Sequence, residues 1–235
     1  MSKTIAQIYS LTNLADALMC VELGADHIGV AFGVVDHLGP IQKTCAEAKY
    51  IFDNLPDNVV KIGLTIAKDV DEILADLDKC CPEVYHLSGD IRDIPPEEVQ
   101  RIRDAHPGLK IMQAIPVYSG VSYEEQWPTI LELIRKYEPT TDYFLIDTKD
   151  PKSTIGIGAT HDRTIDRAIV EATKIPCIIA GGLDPDNVAE AIHTAHPYGV
   201  DTCTRTNLPK EQQDITNGLK DREKVKAFIE ATKNA

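Results

Sequence analysis

Short apolar runs recur along the chain, separated by stretches in which apolar residues return every three or four positions. The runs predict eight strands: Thr4 to Tyr9, His27 to Phe32, Val59 to Ile66, Glu83 to Leu87, Lys110 to Ile115, Tyr143 to Asp147, Cys177 to Ala180 and Val200 to Thr204. Each is mostly apolar rather than alternating, the pattern of parallel strands covered on both faces. Between them the spacing is helical, as at Leu14, Leu18 and Val21 or at Ile73, Leu74 and Leu77. Thr12 and Asn13 can cap the first helix and Gly24 can end it; Pro95 and Pro96 open the fourth, and Asp184-Pro185 opens the seventh. A strand–helix alternation with right-handed crossovers either closes as a barrel or stays open as a doubly wound sheet. Eight repeats of roughly 25 to 35 residues favour the (β/α)8 TIM barrel.

Composition narrows the class further. The 235 residues are 43% hydrophobic and 26% charged, with no low-complexity tract or linker, so one domain over 1–235 is expected. Lys and Arg number 24 against 37 Asp and Glu, a net charge of -13 that repels a polyanion and argues against nucleic acid as a partner. One small phosphate remains compatible, because backbone N–H groups bind an anion locally whatever the global sign. The N-terminus, broken by polar residues, has no signal-peptide core, and no run approaches the ~18 apolar residues of a membrane span, so a cytoplasmic protein with no membrane partner is expected. The six cysteines form no CxxC pair and read as core or incidental thiols. Apart from adjacent His161 and Asp162 there is no His/Asp cluster and no HExxH, so neither metal nor other cofactor is expected.

Three strand ends carry chemistry. The seventh runs Ala180-Gly181-Gly182-Leu183-Asp184-Pro185, and paired glycines let a ligand come within hydrogen-bond distance of the backbone before a helix. The eighth ends in Thr204 and Arg205, phosphate-binding residue types, and barrel phosphate sites are frequently built after strands seven and eight. The sixth ends in Asp147, poised for general acid work, and leads through a loop with Gly156 and Gly158. That GxG lacks a third glycine and the strand-to-helix setting of a dinucleotide fingerprint.

These segments together resemble phosphoribosylanthranilate isomerase over nearly the whole chain. The family's KICGLT resembles Gln7 to Thr12, its GAD-x-IGF-x-F resembles Gly24 to Phe32, its KVGVF resembles Lys61 to Thr65 and its QLHG resembles His86 to Gly89. Later, LLDT resembles Leu145 to Thr148, GGTG-x-x-FDW resembles Ile155 to Arg163, AGGL-x-PxNV is matched by Ala180 to Val188, and KD-x-x-K-x-x-x-FI resembles Lys220 to Ile229. The resemblance implies the barrel and an Amadori rearrangement, in which a carboxylic acid opens the ribose ring and a thiolate removes the C2 proton.

On this resemblance Asp147 falls on the acid and Tyr9 on the thiolate position. A phenol with an ordinary pKa of ~10, against ~8.5 for a thiol, offers roughly thirtyfold less base near neutrality. His86 stands where the family has glutamine and points inward with Ser88, so it is the alternative second proton carrier. The family's SPR segment after strand two resembles Asp36-His37-Leu38, which lacks the arginine, and its SSG after strand eight becomes Cys203-Thr204-Arg205. The expected activity is therefore that of an isomerase or epimerase, an intramolecular oxidoreductase acting on a small phosphorylated sugar. Asp147, His86 and Tyr9 are the expected catalytic residues, with Gly158, Gly181, Gly182, Thr204 and Arg205 at the phosphate. Phosphoribosylanthranilate isomerase itself and a catalytically inactive sugar-phosphate-binding barrel are the rival expectations. The oligomeric state is left open, a homodimer among the options.

Overall fold

All eight apolar runs become strands: β1 (Ile5–Ile8), β2 (His27–Ala31), β3 (Val60–Thr65), β4 (Val84–Leu87), β5 (Lys110–Tyr118), β6 (Tyr143–Lys149), β7 (Cys177–Ile179) and β8 (Gly199–Thr202). The computed structural model describes residues 4–149, 161–209 and 218–235. The strands are parallel and form a closed barrel in sequence order, sealed where β1 pairs β8 with Ile5 opposite Gly199 and Ile8 opposite Thr202. That closure excludes the open doubly wound sheet.

Outside the strands lie α1 (Leu14–Glu22), α2 (Cys45–Asp53), α3 (Val70–Leu77), α4 (Pro96–Ala105), α5 (Tyr123–Tyr137), α6 (Arg163–Ala172), α7 (Val188–Ala195) and α8 (Arg222–Asn234). Asn13 caps α1 by accepting the Asp16 N–H, and Pro96 opens α4, as the sequence predicts. Most boundaries fall within two residues of those predicted, although β8 ends at Thr202 and leaves Thr204 and Arg205 in a following 3-10 turn; two differ by more. The fifth strand continues three residues past Ile115, carrying Pro116 opposite Asp147 of β6, so the proline interrupts the hydrogen-bond ladder without ending the strand. Helix α7 starts at Val188 rather than at Asp184, because the Asp184 carboxylate first accepts the N–H groups of Asp186 and Asn187 in a separate turn. Among the described residues, no helix is long and apolar enough to cross a membrane.

Strand alternation divides the apolar residues between two shells. Ile8, Val30, Tyr85, Phe144 and Ile179 face the helices in the outer shell. Ala31, Ile62, Val84, Met112, Leu145 and Ile178 fill the barrel with Tyr9. The inner filling depends on Gly29: a Cβ there would lie 2.0 Å from Tyr9 Cδ1, so the tyrosine ring occupies the space that the missing side chain leaves. Overpacking of this kind costs typically ~1–3 kcal/mol. Gly29→Ala is expected to destabilise the protein by about that amount in denaturant titration, and Tyr9→Cys in the same chain to recover much of the loss. Additive effects of the two substitutions would contradict the contact.

Candidate active site

The C-terminal ends of the strands surround a cavity of about 260 Å³. Asp147 at the end of β6 and Asp201 on β8 both line it, as do Gly181, Gly182, Thr204 and Arg205. Leu38, Ile41, Leu64 and Ile66 give the opposite wall an apolar character. The register of β1 against β8 sets the acid on β8: Gln7 lies opposite Asp201, and its Nε2 donates to Asp201 Oδ1 at 3.1 Å. Gln7 Oε1 in turn accepts from His27 Nδ1 at 3.0 Å, which fixes the amide's orientation. Asp201 is only 5% exposed.

Burial pushes Asp147 up to about 6, against the pull of the nearby Lys149 and His161 charges. It pushes Asp201 further, to about 8; the Gln7 hydrogen bond opposes the rise, and the neighbouring Asp147 charge adds to it. Two carboxyls that sense each other titrate as a pair, so between about 6 and about 8 the cavity holds one proton between them. One group is then a proton donor while the other is a proton acceptor.

Tyr9 and His86 come together, but on each other. Tyr9 Oη lies 2.9 Å from His86 Nδ1 and 3.3 Å from Met112 Sδ, and neither partner lines the cavity. Burial holds the phenol well above its ordinary range and pushes His86 down to about 3, with Lys149 adding to the fall. The pair is therefore a protonated phenol hydrogen-bonded to a neutral imidazole, and His86 Nε2, fully buried, has no partner among the described residues. Tyr9 lines the cavity and His86 does not, so the hydroxyl that sits on the imidazole belongs to a residue of the cavity wall.

The glycine pair has the backbone its composition suggests. Gly181 and Gly182 have φ of +82° and +65°, and a Cβ on Gly181 would lie 2.0 Å from Thr148 Oγ1. Their carbonyls are occupied: Arg163 Nη2 donates to Gly181 O at 2.8 Å and Asn187 Nδ2 to Gly182 O at 3.0 Å. The N-terminus of α7, expected to help, is set back behind the turn that Asp184 closes. Thr202 Oγ1 bonds Leu183 O at 2.9 Å and ties this turn to β8, which brings Thr204 and Arg205 beside it. Gly158 lies outside the described residues. His161, weighed with Asp162 as a metal ligand, is engaged by Thr148 and Asp166.

Sequence reasoning missed Asp201 and Cys203. Cys203 is not an incidental thiol: it lines the cavity, and its Sγ donates to Ser10 Oγ at 3.2 Å. Burial raises this thiol, and the Lys220 charge opposes the rise. The overlooked signal was alternation along the eighth run, where 199, 201 and 203 share the interior face, so a carboxylate at 201 inside an otherwise apolar strand was itself the anomaly.

The chain matches the sequence profile described as N-(5'phosphoribosyl)anthranilate (PRA) isomerase over residues 6–231. It is 32% identical over 212 residues to the N-(5'-phosphoribosyl)anthranilate isomerase of Methanocella arvoryzae, covering 90% of this chain and 93% of that one. The phosphoribosyl anthranilate isomerase structure from Thermococcus kodakaraensis superposes with a TM-score of 0.78 at 27% identity, covering 99% of this chain and all of the other. A further phosphoribosyl anthranilate isomerase, solved with reduced 1-(o-carboxyphenylamino)-1-deoxyribulose 5-phosphate, shares the fold with a TM-score of 0.74 at 23% identity, covering 99% of this chain and 100% of that one.

The raised Asp201 makes a stability prediction. A carboxyl whose folded pKa lies above its unfolded value costs nothing while it is protonated in both states, and it loses stability as pH climbs from about 4 to its folded value of about 8. Asp201→Asn keeps an oxygen for Gln7 and removes the charge. Its melting temperature should match wild type near pH 4 and exceed it increasingly toward pH 8, by a stability difference on the order of a few kcal/mol. A gap that stays constant across that range would overturn the assignment.

Proposed function

Because the chain belongs to the N-(5'-phosphoribosyl)anthranilate isomerase family, we propose that it converts N-(5'-phosphoribosyl)anthranilate into the corresponding 1-amino-1-deoxyribulose 5-phosphate. The observation that carries the reading is one cavity lined by two carboxyls with raised values, Asp147 and Asp201, beside a glycine turn whose backbone is shaped for an anion.

The proton that the pair shares, carried by Asp147 in the reactive tautomer with Asp201 ionised, passes to the ring oxygen as the C1–O bond breaks, and the nitrogen lone pair forms C1=N. The second carboxylate, Asp201, then takes the C2 proton. The C2–H electron pair becomes the C1=C2 bond and the C1=N pair returns to nitrogen. Loss of the enol proton and protonation at C1 give the ketose, with C1 reduced and C2 oxidised and no external oxidant. Each such proton transfer contributes typically ~10²–10⁴-fold to rate. Gly181 and Gly182 bind the phosphate with Thr204 and Arg205, while the Tyr9 ring forms the floor on which the sugar rests.

The apolar wall of Leu38 and Ile41, together with Asp36-His37-Leu38 in place of SPR, supports a second reading in which the same rearrangement acts on a phosphosugar with an uncharged substituent. Comparing N-(5'-phosphoribosyl)anthranilate with N-(5'-phosphoribosyl)aniline as substrates separates the two.

Turnover of N-(5'-phosphoribosyl)anthranilate, followed by loss of its fluorescence, is the direct test. Asp147→Asn should lower kcat by ~10²-fold or more while leaving the fold intact. The kcat/KM profile should be bell-shaped, with limbs near the values of about 6 and about 8 that burial gives the two carboxyls. Gly181→Ala should raise KM well above its effect on kcat. Wild-type protein inactive on both amines sinks the proposal.

A further inference from the structure

A buried polar cluster ties the end of β6 to the turn after β7. Thr148 Oγ1 lies 2.6 Å from His161 Nδ1, and His161 Nε2 lies 2.6 Å from Asp166 Oδ1. Arg163 Nη1 donates to the second Asp166 oxygen at 3.1 Å and to the Ala180 carbonyl at 3.2 Å, and Nη2 reaches the Gly181 carbonyl. The Asp166 side chain has no exposed surface and that of His161 has 3%. An imidazole with its proton on Nε2 satisfies both neighbours, donating to the carboxylate and accepting from the threonine hydroxyl.

None of Thr148, His161, Arg163 and Asp166 lines the cavity, so the cluster does not touch a ligand directly. Its effect is transmitted through peptide geometry. In a trans peptide the C=O of one residue and the N–H of the next point in opposite directions, and no cis peptide occurs among the described residues. Holding the Ala180 and Gly181 carbonyls on a guanidinium therefore turns the Gly181 and Gly182 N–H groups the other way, toward the cavity that both glycines line. A guanidinium presents a rigid fork that can grip two successive carbonyls and a carboxylate together, which a lysine cannot do.

We propose that Arg163, braced by Asp166 and His161, is a positioning residue that aims the Gly181 and Gly182 N–H groups at the phosphate of the substrate. The inference rests on the reading above only in taking that turn as the phosphate site. It adds that phosphate affinity in this chain is set by an ion cluster behind the turn, which shares Thr148 with the strand end that carries Asp147.

Equilibrium binding of ribose 5-phosphate, alongside steady-state kinetics with N-(5'-phosphoribosyl)anthranilate, tests it. Arg163→Met should weaken ribose 5-phosphate binding and raise KM by about tenfold, the equivalent of one lost hydrogen-bond pair, while kcat changes by less than about threefold and the pH limbs stay in place. Arg163→Lys should recover part of the affinity. Asp166→Asn keeps the guanidinium but loosens its brace and should fall between wild type and Arg163→Met; it also serves if Arg163→Met does not fold. A folded variant of Arg163 or Asp166 that binds ribose 5-phosphate as tightly as wild type overturns the inference, as does wild-type protein that does not bind this ligand. Wild type that binds it but leaves the anthranilate substrate unchanged sinks the proposed reaction alone.

Discussion

The ladder between β1 and β8 is the constraint on which the site depends. Closing the barrel there puts Gln7 opposite Asp201 and Ile8 opposite Thr202, and the Tyr9 N–H bonds the Thr202 carbonyl at 3.0 Å. That register seats Asp201 on the Gln7 amide and sets Tyr9 and Cys203 at one level of the cavity. A slip of one residue would turn Asp201 and Cys203 outward into the helix layer, because side chains alternate along a strand. The site's electrostatics are thus a consequence of strand pairing, which fixes how deep each carboxyl sits.

Depth then decides chemistry. The protein carries a net charge of -13, yet the two carboxyls in the cavity are raised chiefly by their own desolvation. Asp147 is partly exposed and rises modestly, whereas Asp201 is buried and rises more. The same burial leaves the Tyr9 phenol protonated and the His86 imidazole neutral. One physical effect therefore leaves the cavity pair sharing a proton near neutrality while it keeps Tyr9 and His86 uncharged.

Much of this was legible in the sequence, for definite reasons. The strands could be read because buried parallel strands are continuously apolar, and the glycine turn and Asp147 because they stand at strand ends. The inward orientation of Tyr9 and His86 was legible from alternation, but their mutual hydrogen bond was not. Which side chains meet across a barrel depends on the stagger between β1, β4 and β5, and no local pattern records that stagger. Pro116 hid the last residues of β5 because a proline reads as a stop, although in this register it only removes one donor from the ladder. Asp184-Pro185 read as a helix start when the side chain of Asp184 was closing a turn of its own.

The departures from the family pattern also make sense as groups rather than singly. A tyrosine just after β1 requires an interior gap, and Gly29 supplies it; the tyrosine hydroxyl requires a buried hydrogen-bond partner, and His86 supplies that. In the stretch resembling FDW, His161 and Arg163 stand at the aromatic positions, and each bonds the fully buried Asp166. An isolated buried carboxylate would be strongly destabilising, so Asp166 is tolerable only with both partners present, and each partner has a second task at Thr148 or at the Ala180 and Gly181 carbonyls. Aromatic packing could hold the same backbone only by shape. An ionic cluster also fixes the direction of its hydrogen bonds, and direction is what the turn needs for the phosphate role proposed for its N–H groups.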